Sequence, residues 1–318
     1  MRRKKKKYGC SIAFLLIIIF LLVLRFSPSF MKWNSKISSP SISSLSQIPA
    51  TEQLNTSVSI DTEGLHSPYA ILVRLSDHAV LMQKQSNQKI YPASLTKIMT
   101  AVVSIENLPN LQKKIYLSPS SFQPLYKADA SMAGFQPGEK VRAIDLLYGA
   151  LLPSGAECCV GLANEVSGSE RSFVDKMNQK GKALGMRNTH FANSTGLQDP
   201  NHYTTVKDLS VLLSYALQNK TFRSIFVSSR HSTSATNKHP DGITFKSTLS
   251  QSLKNRALPE GEILGGKTGY TDDAGLCLAS LAQIDRKEYV LVTAGAKGDH
   301  KTEQYDIDDA LEVYTELK

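Results

Sequence analysis

Tyr91-Pro92-Ala93-Ser94-Leu95-Thr96-Lys97-Ile98-Met99-Thr100 is the stretch from which the rest of the chain is read. Leu95, Ile98, Met99, Val102 and Ile105 recur at helical spacing, and Pro92-Ala93 stands where a helix can begin, so 94–105 is predicted as a helix. Three residues apart, Ser94 and Lys97 then share a face. A serine hydroxyl is a poor nucleophile until something removes its proton. Lys97 can be that base only as a neutral amine, a state favoured by burial and by a second cation nearby. Ser-x-x-Lys is a weak signal alone, because it also occurs at Ser29 to Lys32 and at Ser86 to Lys89. Without a partner, Lys97 would be read as a solvated helix lysine.

A partner stands far downstream. Lys267-Thr268-Gly269 occurs once and is read as a strand edge carrying a cation and a hydroxyl, suited to holding an anion. Around it the pattern is strand-like, with apolar runs over 276–282 and 289–294 and a turn at Asp285-Arg286-Lys287-Glu288. At the other end, 70–75 and 79–82 form a predicted hairpin turning at Ser76-Asp77-His78. Between these lie predicted helices over 144–152, 157–166, 170–184 and 206–217, and a last amphipathic helix covers 301–317. Strands at both ends of a helical middle imply an α+β fold, a mainly antiparallel sheet flanked by helices, with a helical subdomain. Residues 66–318 are read as one catalytic domain, without an internal repeat or second linker.

The chain has 318 residues and a formal charge of +9, unevenly placed. Residues 1–65 hold nine Lys/Arg against three Asp/Glu, and Arg2-Arg3-Lys4-Lys5-Lys6-Lys7 supplies six of them. The remainder is nearly balanced, so a nucleic-acid surface is excluded. That basic run, residues 1–8, is expected to be a cytoplasmic tail. Residues 9–26 contain an uncharged apolar stretch from Gly9 to Leu24, expected to be a transmembrane signal anchor. A cleaved signal peptide is the rival, but no small-x-small cleavage site follows Leu24. Residues 27–65 contain eleven serines with Pro28, Pro40 and Pro49 and no apolar period, and are read as a stalk. Everything beyond the anchor is then expected outside the membrane, held by this N-terminal helix.

Cys10, Cys158, Cys159 and Cys277 form neither a disulfide framework nor a zinc pattern. Buried thiols are expected, and a bridge from Cys158 or Cys159 to Cys277 is the alternative. His190, His231, His239 and His300 lack metal-ligand spacing and there is no His-Glu-x-x-His run, so no metal or other cofactor is predicted.

Ser94-x-x-Lys97 with Lys267-Thr268-Gly269 resembles the signature of penicillin-recognising serine enzymes, the penicillin-binding proteins and β-lactamases. The longer text narrows the resemblance. The Tyr91–Thr100 stretch, Asn193-Ser194-Thr195-Gly196-Leu197, Asn201-His202-Tyr203-Thr204-Thr205 and Lys267-Thr268-Gly269-Tyr270-Thr271 are similar to low-molecular-mass serine D-alanyl-D-alanine carboxypeptidases, over residues 66–318. The resemblance implies a β-lactamase/transpeptidase-like fold and a peptidoglycan stem peptide ending in D-Ala-D-Ala as substrate. It implies β-lactams as inhibitors acylating the same serine. By it, Ser94 is the nucleophile and Lys97 its base, with the backbone N–H groups of Ser94 and Tyr270 as oxyanion hole. Lys267, Thr268 and Gly269 then face the terminal carboxylate.

The family's middle motif is Ser-x-Asn, and this chain contains none. Its best positional match is Leu152-Pro153-Ser154-Gly155-Ala156-Glu157, where alanine replaces asparagine. Ser154 keeps the hydroxyl that would relay a proton; the role of the missing amide falls to Glu157 or to water. His202 and Tyr203 are expected to fix a loop near the site. Two other readings stay open: a class A-like β-lactamase, for which the 193–205 loop offers only Asp199, and a catalytically weak penicillin-binding or sensor domain because of Ala156.

Overall fold

Apolar runs from opposite ends of the chain meet in one sheet. The computed structural model describes residues 60–254 and 256–317. The expected tail, membrane segment and most of the stalk lie outside the described residues. Among the described residues no helix is long and apolar enough to cross a membrane. The described residues belong to a single compact unit.

β1 (Tyr69–Arg74) and β2 (Val80–Lys84) form the predicted N-terminal hairpin, with the Arg74 N–H donating to Ala79 O and His78 at φ 58° in the turn. At the far end, β8 (Gly275–Ile284) and β9 (Lys287–Ala296) are joined through Asp285 and Arg286, at φ 46° and 60°. Two consecutive left-handed residues give a turn whose twist matches the flanking strands. With β7 (Glu262–Thr271) these strands make an antiparallel sheet in the order β2-β1-β9-β8-β7. β7 therefore lies at an edge, as read for Lys267-Thr268-Gly269. Shorter ladders pair β3 (Lys114–Tyr116) with β4 (Lys140–Arg142), and β5 (Arg230–Ser232) with β6 (Thr244–Lys246).

Both faces of the large sheet are covered. Ile71, Val73, Cys277, Ala279, Val290 and Val292 enter the core on one face, while Ala70, Leu72, Leu278, Ala282, Tyr289 and Leu291 enter a second core on the other. A strand buried on both sides has no polar face, which is why these segments read as continuous apolar runs. The last helix, Tyr305–Thr315, covers the second face and starts four residues later than expected. Asp299 is the reason. It accepts the Lys301 and Thr302 N–H groups while Thr302 Oγ1 accepts the Asp299 N–H, and this turn precedes the helix.

Helices Ala143–Leu151, Ala156–Ser167, Glu170–Ala183 and Val206–Ala216 lie where the periodicity placed them. Ser169 and Thr205 cap the last two by accepting the N–H groups of Ser172 and Asp208. Phe122–Lys127, Lys220–Phe226 and Thr248–Ser252 are helical without having been predicted, each too short to display a period. One expectation is corrected. Ser94 is not inside the helix but in a 3-10 turn, Ala93–Leu95, and the α-helix runs Thr96–Asn107. Nor is that helix amphipathic in place: every residue from Thr96 to Ser104 is buried, because five other helices pack around it.

Candidate active site

The turn carrying Ser94 is strained and heavily tied. Ala93 has φ 46°, a region costly for a residue with a Cβ. Its carbonyl accepts from Thr96 Oγ1 at 2.8 Å, and Thr96 Oγ1 lies 2.7 Å from His202 Nε2. His202 Nδ1 accepts the Ala192 N–H at 3.1 Å, so the proton sits on Nε2 and is donated to Thr96. His202 is buried, and burial pushes its pKa down to about 4, which keeps the ring neutral. The loop role read for His202 is thus a clamp on the Ser94 turn. Tyr203 bonds through its backbone to His190, and its ring lies 4.0 Å from the ammonium of Lys89.

Two glycines let other segments approach this turn. A Cβ on Gly196, which has φ 84°, would stand 1.9 Å from Ala93 O. A Cβ on Gly269 would stand 3.0 Å from Ser94 N. The Ser94 turn is thus pressed between the 193–197 loop and the β7 edge.

Lys97 Nζ lies 2.8 Å from Ser94 Oγ and donates to Thr195 O at 2.6 Å. That carbonyl is aimed by an internal scaffold. Asn193 Oδ1 accepts the N–H groups of Thr195 and Gly196 at 3.1 and 2.7 Å. Ser194 O accepts Thr100 Oγ1 at 2.6 Å, and the Ser194 N–H and hydroxyl both go to Glu170 Oε1. Lys267 is fully buried on β7, with Nζ donating to Thr268 O at 2.6 Å. Burial lowers the pKa of Lys97, opposed by the nearby Glu157 carboxylate. At Lys267 burial acts first and the Lys97 charge adds to it, holding that amine well below the usual lysine range. The lowering of Lys97 thus comes from burial, not from the second cation expected from the sequence; the charge effect falls on Lys267.

Ser154 lies in the turn before Ala156–Ser167, the helix that packs against Thr96–Asn107. Ser154 has φ 69°, is buried, and its Oγ has no hydrogen-bond partner among the described residues. Gly155 N–H donates to Gly149 O and Ala156 N–H to Ser131 O, both at 2.8 Å. Ala156 packs with Leu125 and Val160, beside Ala130, Met132 and Leu197, so the position expected to hold an amide is apolar. Glu157 does not replace that amide as a hydrogen-bond partner of Lys97. Its Oε1 instead accepts the N–H groups of Ala133, Gly134 and Phe135 at 2.8, 2.9 and 3.2 Å. Burial raises the Glu157 carboxyl against the pull of those N–H groups, and Oε2 is buried without a partner among the described residues.

At the rim, Thr268 Oγ1 meets Thr248 Oγ1 at 2.7 Å. The Tyr270 hydroxyl donates to Asp272 and the ring stands edge-on to His300, so that side chain belongs to the outer surface. Asp199 accepts the Asn201 N–H in its own turn. The Ser86 to Lys89 match is set aside, since Ser86 bonds Gln83 in the loop after β2; Ser29 lies outside the described residues. Cys158, Cys159 and Cys277 are buried free thiols, and burial pushes Cys159 and Cys277 up to about 12. Sequence reasoning missed Thr195 O, Thr96, Glu170 and Thr248. Asn193-Ser194-Thr195-Gly196 was itself legible as a motif, but its target carbonyl was not.

The profile described as D-alanyl-D-alanine carboxypeptidase, peptidase S11, matches residues 55–298. The chain is 32% identical over 232 residues to a D-alanyl-D-alanine carboxypeptidase, DacF, of Bacillus subtilis, covering 71% of this chain and 57% of that protein. It is 30% identical over 259 residues to DacC of Escherichia coli, another D-alanyl-D-alanine carboxypeptidase, covering 79% and 60%. The chain thus spans about three fifths of the length of these relatives. The crystal structure of the Streptomyces K15 DD-transpeptidase is similar with a TM-score of 0.72 at 26% identity, over 81% of this chain and 98% of that one. With the Ser94–Lys97 pair against a Lys267-Thr268-Gly269 edge strand, and a match across most of the described residues, the chain belongs to the D-alanyl-D-alanine carboxypeptidase family, peptidase S11.

Proposed function

We propose that this protein is a membrane-anchored serine D-alanyl-D-alanine carboxypeptidase that removes the terminal D-alanine from peptidoglycan pentapeptides through an acyl-enzyme on Ser94. The observation that carries the reading is Lys97 Nζ at 2.8 Å from Ser94 Oγ, buried, with its other contact to Thr195 O. A neutral Lys97 amine can donate one N–H to Thr195 O and offer its lone pair to the Ser94 hydroxyl proton. Ser94 Oγ attacks the carbonyl between the two D-alanines as that proton passes to Lys97. Backbone N–H groups of Ser94 and Tyr270 donate to the oxyanion. Ser154 relays a proton to the departing amine, the C–N bond breaks and D-alanine leaves. Water then hydrolyses the ester, returning Ser94 to its hydroxyl form. Lys267 and Thr268 hold the terminal carboxylate, with Gly269 leaving room for it. No cofactor is needed.

β-Lactams, with a carboxylate beside a strained amide, would acylate the same serine. Residues 1–8 serve as cytoplasmic tail, 9–26 as the span, 27–65 as stalk and 66–318 as the catalytic domain, which places the chemistry outside the bacterial cell membrane. A second reading, a weakly catalytic penicillin-binding domain, draws on the apolar packing of Ala156. A class A-like β-lactamase draws no comparable support, because Asp199 caps its own turn.

Full-length protein in detergent, given a pentapeptide ending in D-Ala-D-Ala, is expected to release D-alanine, with Ser94→Ala reducing the rate by at least about 10³-fold. No release by the wild type would refute the first reading. Stable labelling by a β-lactam without peptide hydrolysis would select the second, and rapid turnover of a chromogenic β-lactam would point to a β-lactamase.

A further inference from the structure

Thr248 ties the two sides of the proposed carboxylate site together. Its backbone N–H donates to Leu152 O at 3.2 Å, two residues before Ser154. Its hydroxyl lies 2.7 Å from that of Thr268 on the β7 edge. The neighbouring residues fix it in place. The Ser247 N–H donates to Ser229 O at 2.8 Å, Ser247 caps the short helix, and Leu249 is buried in the core on the outer face of the sheet. Thr248 and Thr268 are both only half-buried, so a ligand can reach the pair.

Two hydroxyls sharing one hydrogen bond have two protons between them. One lies between the oxygens and the other is free to point outward. If Thr268 gives its proton to Thr248, Thr268 has none for an anion. If Thr248 is the donor, the Thr268 proton is free, and its oxygen is polarised by the bond it accepts. An incoming carboxylate, which can only accept, selects the second arrangement.

We infer that Thr248 is a positioning residue for carboxylate recognition, donating its hydroxyl proton to Thr268 so that Thr268 donates to the substrate's terminal carboxylate. The inference rests on the proposed carboxypeptidase reading, in which Lys267 and Thr268 hold that group. No bond is made or broken; only hydroxyl orientation changes. The backbone tie to Leu152 survives any side-chain substitution here, so the hydroxyl can be tested separately.

The test compares an acetylated tripeptide ending in D-Ala-D-Ala as the free acid and as the C-terminal amide. Full-length wild type, Thr248→Val, Thr248→Ala and Thr248→Ser are assayed. The Val and Ala variants are expected to lose about 10- to 100-fold in the acid-to-amide ratio of kcat/KM, the scale of a hydrogen bond to a charged group, while Ser stays within about 3-fold of wild type. Should the Val variant fail to fold, the Ala and Ser pair decides. An unchanged ratio in Val and Ala overturns the inference, and so does an equal loss in Ser, which would indicate packing. A wild type that releases no D-alanine refutes the carboxypeptidase reading instead. The ratio is then read from Ser94 acylation by benzylpenicillin and its methyl ester, with the same expectation. A wild type that prefers the acid in neither assay overturns the inference.

Discussion

The Ser94 turn with its surroundings, a first wall, and the Ser154 turn, a second, are built on opposite principles. On the Ser94 side, the Asn193, Ser194, Thr195, Thr96, Lys97 and His202 side chains all have hydrogen-bond partners within the protein. On the Ser154 side, Ser154 Oγ and Glu157 Oε2 are buried without partners among the described residues, and Ala156 offers only a methyl group. Buried polar atoms left unpaired cost roughly 1–3 kcal/mol each, so the second wall holds unmet demand that the first has eliminated. The difference teaches where preorganisation is concentrated: around Ser94 and Lys97, not around Ser154. A ligand meeting Ser154 would satisfy a donor that the protein itself leaves open.

The largest expected effect attacks the satisfied wall. Gly196→Ala places a Cβ 1.9 Å from Ala93 O on a residue at φ 84°. A destabilisation of about 2–5 kcal/mol is expected, read by urea denaturation, from the summed scales of backbone strain and overpacking. A variant as stable as wild type would show that the turn and the loop are less tightly joined than their geometry implies.

The same wall carries a pH signature. His202 has a folded pKa of about 4 against an ordinary 6.5. Unfolding therefore takes up a proton between these values, so the His202 contribution is fully present above about pH 6.5 and is lost as pH falls toward 4. The loss amounts to about 3 kcal/mol across that window. His202→Gln is expected to flatten this part of the stability profile; an unaltered slope would assign it to other groups.

Ala156→Asn tests the second wall. Forcing an amide among Leu125, Val160 and Met132 is expected to cost about 1–3 kcal/mol in thermal or urea unfolding. If stability does not fall, the wall has room for the amide and the contrast weakens. The smallest effect belongs to Glu157→Gln. Removing a buried negative charge that supports the protonated form of Lys97 lowers the Lys97 pKa further. The acidic, ascending limb of activity against pH, along which Lys97 deprotonates, should then begin at lower pH, measured by β-lactam acylation. A shift in the opposite direction would break the assignment of Lys97 as base.

Much of the first wall was legible before any geometry. Ser94 and Lys97 announce themselves by spacing, and the Lys267 edge strand by a motif that occurs once. The 193–205 text was visible as a block, but its action on Lys97 runs through a backbone carbonyl, which every residue possesses and no side chain advertises. The second wall was legible only as a discrepancy. That Ala156 would be packed against Leu125 and Leu197, and Glu157 turned toward the N–H groups of 133–135, depended on segments distant in sequence folding over it.

Periodicity and residue chemistry determined the main helices, the two terminal hairpins and the sheet's antiparallel character, and they named the candidates for nucleophile, base and anion-holding strand. These are local properties: a period of 3.6 or 2, a turn, a hydroxyl one helical turn from an amine. Tertiary structure alone decided that Ser94 sits in a 3-10 turn ahead of its helix, that this helix is buried all round, and that both lysines lose their solvent. Burial and the direction of a hydrogen bond are properties of the assembled chain. They set whether Lys97 can act as a base, which its place in the sequence could only suggest.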